Sequence, residues 1–457
     1  MSLGDFRDHL IPADAERLRD ARGLDPWTYA EPIRRTDKAT GLIEYWQRLH
    51  DQPFKGITAD GPVLEGQYAL ADEGFDVAAA VTAAKGVVAA LSEGELARVR
   101  HPLDAAEWRD WYNPEWPMNA HGVRLDEVAP EVRDAVAGLM RACFSDDGYI
   151  KTRQVRSANL YLGELYDLRN IMNEWSYHFL MFGEPGETEP WGWNLYGHHL
   201  ALNCLVIGSQ IVVSPTFMGA EPTTVDRGDG ESFELFRREA LTGIELMRSL
   251  PAEQRRLATA YRQMKDPAMP EGRWHFADER TLGGAYQDNR VIPYEGVRAR
   301  DLTSGQQEQL LRVVESFVDF LPERPLRARM RQIEEALDDT WWSWVGPDDG
   351  VQPFYYRVQS PVVMVEFDNH QGVWLTNTEP ARFHVHTVVR TPNGNDYGKD
   401  LLRQHYAAKH RAGADGTQGE GAGADGRPPS AHEHGAHPHT DGPHRTGHTG
   451  HTGHQGR

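Results

Sequence analysis

Trp191-Gly-Trp-Asn-Leu-Tyr-Gly-His198-His199-Leu-Ala-Leu-Asn203 and Phe383-His384-Val385-His386-Thr-Val-Val-Arg390 are the two stretches from which the fold can be predicted. Both are rich in aromatic and aliphatic residues, a pattern typical of buried strands. Side chains two positions apart on a strand share a face, so His384 and His386 are expected to point the same way. One histidine from the first stretch would complete a three-histidine metal site with open coordination positions.

Strand-like sequence extends around these stretches in two blocks, and helical patterns are grouped between and before them. The short connections within the second block favour antiparallel pairing. We therefore predict an α+β fold in which both blocks join one central, largely antiparallel sheet flanked by helices. The strands are expected at 175–182, 193–213, 355–359, 362–367, 373–376 and 382–389. The helices are expected at 76–91, 130–143, 233–247, 252–264, 306–320, 327–336 and 399–406, with a capping box at 92–95.

Composition excludes several classes of protein. The formal net charge of -20 makes binding to nucleic acid through phosphate contacts unlikely, because such contacts need clustered basic residues. Two cysteines provide neither a disulfide framework nor a Cys-x-x-Cys metal site. No signal-peptide pattern is present, and no window approaches the ~20 apolar residues of a membrane helix. We expect a cytoplasmic protein that acts on a small molecule, without nucleic-acid or membrane partners.

The C-terminal segment differs in composition from the rest of the chain. Residues 411–457 contain 12 glycines and eight histidines but no leucine, isoleucine, valine, methionine or aromatic residue. Such a segment buries too little apolar surface to offset its ordering entropy. We predict one domain over residues 1–410, with a helical N-terminal part and a mixed sheet core, and a disordered tail over 411–457. Histidine-rich tracts can bind divalent metal, and a neutral flexible tail is the alternative.

The choice between His198 and His199 as the third ligand depends on which face of the strand each occupies. If the first strand continues through both, His199 shares a face with Gly197, and the missing side chain leaves room beside it. We therefore assign His199, His384 and His386 as metal ligands. His198 is the alternative ligand or a catalytic neighbour. The histidines could also be core or surface residues without a metal.

Glu366 interrupts the apolar strand Pro361-Val-Val-Met-Val-Glu-Phe-Asp368. A buried carboxylate is costly unless it is paired or bound to a metal. It is assigned as a catalytic acid or base, or as a further ligand. The structural alternative is an ion pair with Arg382 or Arg390 on a neighbouring strand.

Further residues are candidates for the substrate pocket. Trp191 and Trp193 lie beside the first histidine pair and could form walls for a planar substrate, although core packing explains most tryptophans. Lys55 could hold an anionic group. Asn393 and Asp396 lie in the turn that follows the His-x-His strand and could line the mouth of the site. Asp396 could instead cap the helix after that turn.

Three motifs together resemble a known family. They are Pro53-Phe-Lys-Gly56, the stretch from Glu189 to Asn203 and the stretch from His384 to Gly398. These segments are similar to the bacterial and fungal family known as domain of unknown function 3500. The resemblance spans most of residues 40–406 and leaves the histidine-rich tail outside. It implies a single ordered unit and carries no family-wide activity with it.

The function predicted from these patterns is a metal-dependent enzyme acting on a small organic molecule. Zinc is slightly favoured, because a zinc-bound water can act as a hydrolytic nucleophile near neutral pH. A copper- or iron-dependent oxidoreductase with the same ligands is the first alternative. A non-catalytic metal-handling protein that uses the histidine-rich tail is the second. A metal-free binding protein or hydrolase with acid/base histidines is the third.

Overall fold

A twelve-stranded, mostly antiparallel sheet forms the centre of the molecule in the computed structural model, which describes residues 4–228 and 232–416. The strands run in the order β1-β3-β4-β5-β6-β14-β13-β12-β11-β10, with β2 beside β3 and β9 beside β11. β7 and β8 form a separate pair. The strands are β1 (Arg100–His101), β2 (Val123–Arg124), β3 (Tyr177–Phe182), β4 (Trp191–Gly197), β5 (Leu200–Ile207), β6 (Gln210–Ala220), β7 (Thr224–Asp226), β8 (Ser232–Glu234), β9 (Thr259–Tyr261), β10 (Val297–Arg298), β11 (Trp341–Val345), β12 (Tyr355–Gln359), β13 (Met364–Asn369) and β14 (Val385–Arg390).

Helices precede, separate and follow the two strand blocks, which confirms the α+β prediction. The α-helices are α1 (Glu16–Ala21), α2 (Pro26–Arg34), α3 (Asp37–His50), α4 (Val77–Ala90), α5 (Glu93–Val99), α6 (Pro130–Cys143), α7 (Asp146–Tyr166), α8 (Arg237–Ser249), α9 (Ala252–Ala258), α10 (Ser304–Val318), α11 (Glu323–Glu335) and α12 (Lys399–Gly416). Short 3-10 helices lie at Phe6–His9, Ala106–Arg109, Leu125–Glu127, Ala299–Asp301, Leu337–Asp339 and Asp396–Gly398.

Local sequence explains where several helices begin. The Asp76 side chain accepts a hydrogen bond from the backbone N–H of Ala79 and caps α4. Ser92 and Glu95 form the predicted capping box at the start of α5. Pro130 occupies the first turn of α6, where its missing N–H costs nothing.

Tertiary pairing changes other predicted elements. α9 ends at Ala258 rather than at residue 264, because residues 259–261 pair with β11 instead. The predicted strand at 373–376 is wrong: apart from an isolated bridge at Leu375, this segment is irregular. The 21-residue α7 was not predicted, because several of its buried positions carry polar side chains, among them Arg156 and Asn159, and the sequence therefore shows no continuous apolar face.

The two strand blocks join where β6 pairs with β14. Val385 lies opposite Ala220 and His386 lies opposite Gly219 in this antiparallel pair. The neighbouring hairpin reverses direction at His198 and His199, since Gly197 of β4 pairs with Leu200 of β5. The assumption that the first strand continues through His199 was therefore wrong, because both histidines form the hairpin turn. His199 has a φ of 61°, in the left-handed region that non-glycine residues rarely adopt.

A long irregular segment, residues 262–296, covers the side of the sheet that carries His386. It has neither helix nor strand apart from isolated bridges. Buried polar contacts attach it to the sheet. The Arg390 guanidinium donates to the carbonyl oxygens of Gly283 and Gly284, and the Arg280 guanidinium donates to Asp368. The segment is thus fixed by charge and hydrogen bonding rather than by regular structure.

The chain divides into two units, Met1–Ala408 and Lys409–Arg457. Of the second unit, only residues 409–416 at the end of α12 are described, so the helix continues past the predicted boundary at 410. The rest of the predicted tail, with its histidines, lies outside the described residues. The prediction of a single domain over 1–410 stays a prediction. Within the described part of the chain, no helix combines the length and the apolar character needed to cross a membrane.

Candidate metal centre

The sheet brings three histidines from two distant parts of the sequence together. His199 comes from the β4–β5 turn, His386 lies in β14, and His384 immediately precedes β14. Each offers a nitrogen atom, and the three nitrogens lie within 4.8 Å of one another. All three side chains are buried. This buried group could hold a metal ion, and its members are the residues that the sequence assigned as ligands.

The separation of two ring nitrogens suits coordination of one ion. Nε2 of His384 and Nε2 of His386 are 3.1 Å apart. Two nitrogens bound tetrahedrally to one zinc ion at ordinary bond lengths would be separated by about 3.3 Å. The two rings are nearly perpendicular, with an interplanar angle of 79°. The two nitrogens are therefore close enough to bind one ion.

Gly219 creates the space that the rings occupy. A Cβ atom at this position would lie 2.9 Å from Cδ2 of His199 and 2.9 Å from Cδ2 of His386. The Gly219 backbone N–H also donates to the carbonyl oxygen of His199 at 2.8 Å. A glycine on β6 thus admits both rings and fixes the turn that carries one of them.

The hydrogen bonds of His384 determine which of its nitrogens faces the site. Nδ1 lies 2.6 Å from the carbonyl oxygen of Gln371. A carbonyl oxygen can only accept, so Nδ1 carries the proton and Nε2 presents its lone pair. A histidine ligand commonly has such a partner on its other nitrogen, which fixes the tautomer and the ring orientation.

Burial keeps the three histidines neutral. It lowers the pKa of His199 and of His386 well below their ordinary value, and the neighbouring imidazoles lower both further. Burial also lowers the pKa of His384, although Glu221 opposes that shift. Neutral imidazole is the form that binds a metal ion. The site therefore holds its ligands in the binding form near neutral pH.

His198 occupies the other turn position and is close to the ligand set. Its ring stacks on His199 with a centroid separation of 4.0 Å, and its Nδ1 lies 2.8 Å from Oδ1 of Asn159. Burial lowers the pKa of His198 to about 3. His198 is therefore a neutral neighbour of the three-histidine group.

A cavity of about 190 Å³ opens beside the histidines. Its walls include the rings of Trp46, Trp116 and Phe276 and the carboxyl-bearing side chains Glu115 and Asp278. His198, His199, His384 and His386 also line it, so ligands and cavity are contiguous. A small molecule could therefore reach a metal ion held by the histidines.

Three residues of this site were missed by the sequence reasoning. Asp278 and Glu279 lie in the irregular segment, where no periodic pattern identifies functional positions. Burial raises the pKa of Asp278 to about 6. His370 was missed as well. Its backbone N–H donates to the carbonyl oxygen of His384, a contact between residues of two different segments that no local pattern predicts.

His370 lies beside the ligands and between two carboxylates. Its ring is 3.8 Å from that of His386, centroid to centroid, and its Nε2 is 3.1 Å from Oδ2 of Asp368. Burial lowers its pKa, but Glu279 and Asp368 outweigh that effect and the net shift is upward. Among the histidines that line the cavity, His370 is thus the one whose pKa is raised rather than lowered.

Glu366 has neither of its predicted structural partners and does not line the cavity. Its carboxylate accepts hydrogen bonds from the backbone N–H groups of Leu282 and Gly283, at 2.8 and 2.7 Å, and from the hydroxyl of Tyr355, at 2.6 Å. It is fully buried. These contacts hold the irregular segment on the sheet and give Glu366 a structural role.

The three residues proposed as pocket walls or as an anion anchor lie elsewhere. Trp191 and Trp193 are fully buried in the core, where the ring of Trp193 packs against Phe144. Lys55 is exposed, and its Nζ donates to the carbonyl oxygen of Gly61. None of the three lines the cavity.

Asn393 and Asp396 also make buried structural hydrogen bonds. The Asn393 amide donates to the carbonyl oxygen of Pro361. Asp396 does not cap the following helix as predicted: its carboxylate accepts from Arg390, from the Ser214 hydroxyl and from the backbone N–H of Thr391. The turn is therefore buried rather than at the mouth of the site.

Comparison with known proteins gives one match. The profile of the family described as "Protein of unknown function (DUF3500)" matches residues 73–399, which include His199, His384 and His386. No curated protein matches this chain, and no solved structure matches it.

Proposed function

The chain belongs to the DUF3500 family, and from this premise we propose that it is a metal-dependent enzyme acting on a small organic molecule. The family description names no activity, so the proposal depends on the site itself. The observation that carries it is the convergence of three buried, neutral histidines at the wall of a cavity. A purely structural metal site is ordinarily closed by a fourth protein ligand, whereas a three-ligand site beside a cavity leaves a position for water or substrate.

Hydrolysis is the reaction that we favour. A zinc ion held by His199, His384 and His386 would lower the pKa of a bound water to about 7 and so supply a hydrolytic nucleophile. Asp278 is the candidate acid/base residue in place of Glu366. It lines the same cavity, and a carboxyl group whose pKa is about 6 can accept a proton near neutral pH.

The size and lining of the cavity support a small-molecule substrate. About 190 Å³ suits a small molecule rather than a polymer, and the aromatic walls suit a partly apolar one. Imidazole ligands also suit copper and iron. A copper- or iron-dependent oxidoreductase with the same three ligands is therefore the second candidate, supported by the same ligand chemistry.

The test is elemental analysis of the purified full chain beside its His384→Ala/His386→Ala variant. The histidine-rich tail is identical in both proteins, so the difference in metal content reports the site alone. We expect about one additional equivalent of zinc, copper or iron in the parent, and the identity of the metal selects between hydrolytic and oxidative assays. His199→Gly is a second variant, since glycine accepts the left-handed backbone that His199 adopts.

Other results would contradict the proposal. Equal metal content in the parent and both variants would indicate that the bound metal is held elsewhere, as expected for a metal-handling tail. No metal in the parent, even after incubation with each ion, would favour a metal-free protein in which the histidines serve as acid/base or structural groups.

A further inference from the structure

Glu221 is a buried carboxylate beside the site. It directly follows β6 and is 1% exposed. Its Oε1 accepts hydrogen bonds from the consecutive backbone N–H groups of Val373, Trp374 and Leu375, at 2.8, 3.0 and 2.9 Å. Its Oε2 accepts from Trp374 at 3.0 Å. The irregular segment that was wrongly predicted as a strand thus donates three consecutive backbone N–H groups to one carboxylate.

This segment also carries the group that orients His384. The Gln371 carbonyl oxygen, which accepts from Nδ1 of His384 at 2.6 Å, lies two residues before Val373. The Glu221 carboxylate is itself 3.8 Å from the same Nδ1 atom. Glu221 therefore acts on His384 in two ways: through the backbone that presents the carbonyl, and through its negative charge beside the N–H.

We propose that Glu221 is a positioning residue of the metal centre, which fixes the segment from Gln371 to Leu375 and through it the orientation of His384. The inference rests on the proposed function, because it assigns Glu221 a role toward the metal. We do not place Glu221 among the ligands, because its carboxylate lies beside Nδ1 of His384, whereas Nε2 is the nitrogen that faces His386.

Glu366 provides a matched comparison within the same chain. It too is a buried carboxylate that accepts from consecutive backbone N–H groups, those of Leu282 and Gly283. Both glutamates thus attach an irregular segment to the sheet. They differ in what the segment carries: the one held by Glu221 includes the hydrogen-bond partner of a candidate ligand, and the one held by Glu366 includes residues of the cavity wall.

The experiment compares Glu221→Gln with Glu366→Gln in the full chain. The zinc dissociation constant of the histidine site is measured by competition with a chromophoric chelator. The His384→Ala/His386→Ala variant is measured in the same way, so that zinc bound by the histidine-rich tail can be subtracted. The midpoint of thermal unfolding is measured for the metal-free proteins. We expect Glu221→Gln to weaken zinc binding by about 10- to 100-fold, the range for loss of a group that orients a ligand. Glu366→Gln should lower the unfolding midpoint and change zinc affinity less than Glu221→Gln does.

Equal effects of the two substitutions on zinc affinity would overturn the proposal, as would a lowered unfolding midpoint in Glu221→Gln with zinc affinity unchanged. If Glu221→Gln does not fold, Glu221→Asp is measured in the same way. It keeps the charge but is one methylene shorter and should also weaken zinc binding.

A measurement on the metal-free protein distinguishes failure of this inference from failure of the proposed function. The Nδ1–H proton of His384, bonded to Gln371, should appear as a slowly exchanging imidazole resonance in the metal-free parent and in Glu366→Gln. It should be lost or shifted in Glu221→Gln. An unchanged resonance would refute the positioning role, whereas a parent that binds no zinc but shows this pattern would refute only the metal-dependent function.

Discussion

Gly219 is the residue on which the spacing of the histidine rings depends most directly. Its absent side chain leaves the volume into which the rings of His199 and His386 project. Neither the sequence around it nor the His-x-His motif identifies this role, because the glycine is far from both histidines in the chain. Only the pairing of β6 with β14 places it opposite His386.

We expect Gly219→Ala to weaken metal binding. The added Cβ would lie 2.9 Å from both rings, and overpacking of a buried site typically costs about 1–3 kcal/mol. If that strain falls on the ligand rings, zinc affinity falls by about 5- to 150-fold, which the chelator competition would measure. Gly86→Ala is the control, because a Cβ there meets no atom within 4 Å. Unchanged zinc affinity in Gly219→Ala would show that the rings relax freely.

At the scale of elements, the irregular segment 262–296 is held in place by buried ion pairs. Arg280 is fully buried, and its guanidinium donates to Oδ1 of Asp368 at 2.7 Å and to the carbonyl oxygen of Met264 at 3.0 Å. Asp278 and Glu279, which line the cavity, immediately precede it. The anchoring of this segment therefore also shapes one wall of the site.

We expect Arg280→Ala to lower the free energy of unfolding by about 3–5 kcal/mol, because it removes the guanidinium that pairs with the buried carboxylates of Asp368 and Glu279. Urea unfolding of the metal-free protein measures the change. Arg327→Ala is the control: Arg327 pairs with Glu323 on α11, and both side chains are mostly exposed. A surface pair contributes about 0–1 kcal/mol. Similar losses in the two variants would contradict a special role for Arg280.

For the molecule as a whole, buried neutral histidines make stability sensitive to acid. His178 of β3 is distant in sequence from the metal ligands and stacks on Tyr196. Burial, with a contribution from Arg124, lowers its pKa from about 6.5 to about 3. The unfolded chain therefore binds a proton that the folded chain does not. The stability due to neutral His178 is present above pH 6.5 and is lost as pH falls toward 3.

We expect His178→Phe to reduce this acid sensitivity. Phenylalanine keeps the aromatic stack but removes the proton-binding group. Between pH 7 and pH 5, the free energy of unfolding of the parent should fall by about 2 kcal/mol more than that of the variant. Chemical unfolding at the two pH values gives both numbers. Parallel pH dependence in the two proteins would mean that His178 titrates normally in the fold.

Sequence periodicity was sufficient for elements whose signal is local. The capping residues of α4 and α5 and the proline of α6 act within a single turn, so their helices could be predicted closely. The alternation of His384 and His386 likewise needs only the geometry of one strand. The choice of His199 was made on an incorrect premise, since the residue lies in a turn and its position depends on the hairpin.

The sequence by itself thus determined the α+β class, the union of two strand blocks and the shared face of His384 and His386, whereas the hairpin turn decided the position of His199. Tertiary structure alone decided the rest of the site. Gly219, Glu221, His370 and Asp278 are brought to the histidines by strand pairing and by an irregular segment. A local sequence pattern predicts the hydrogen bonds within one helix or strand and the residues that share one of its faces. The contacts of the site instead join residues that are far apart in the chain. Their identity therefore depends on the packing of the whole molecule.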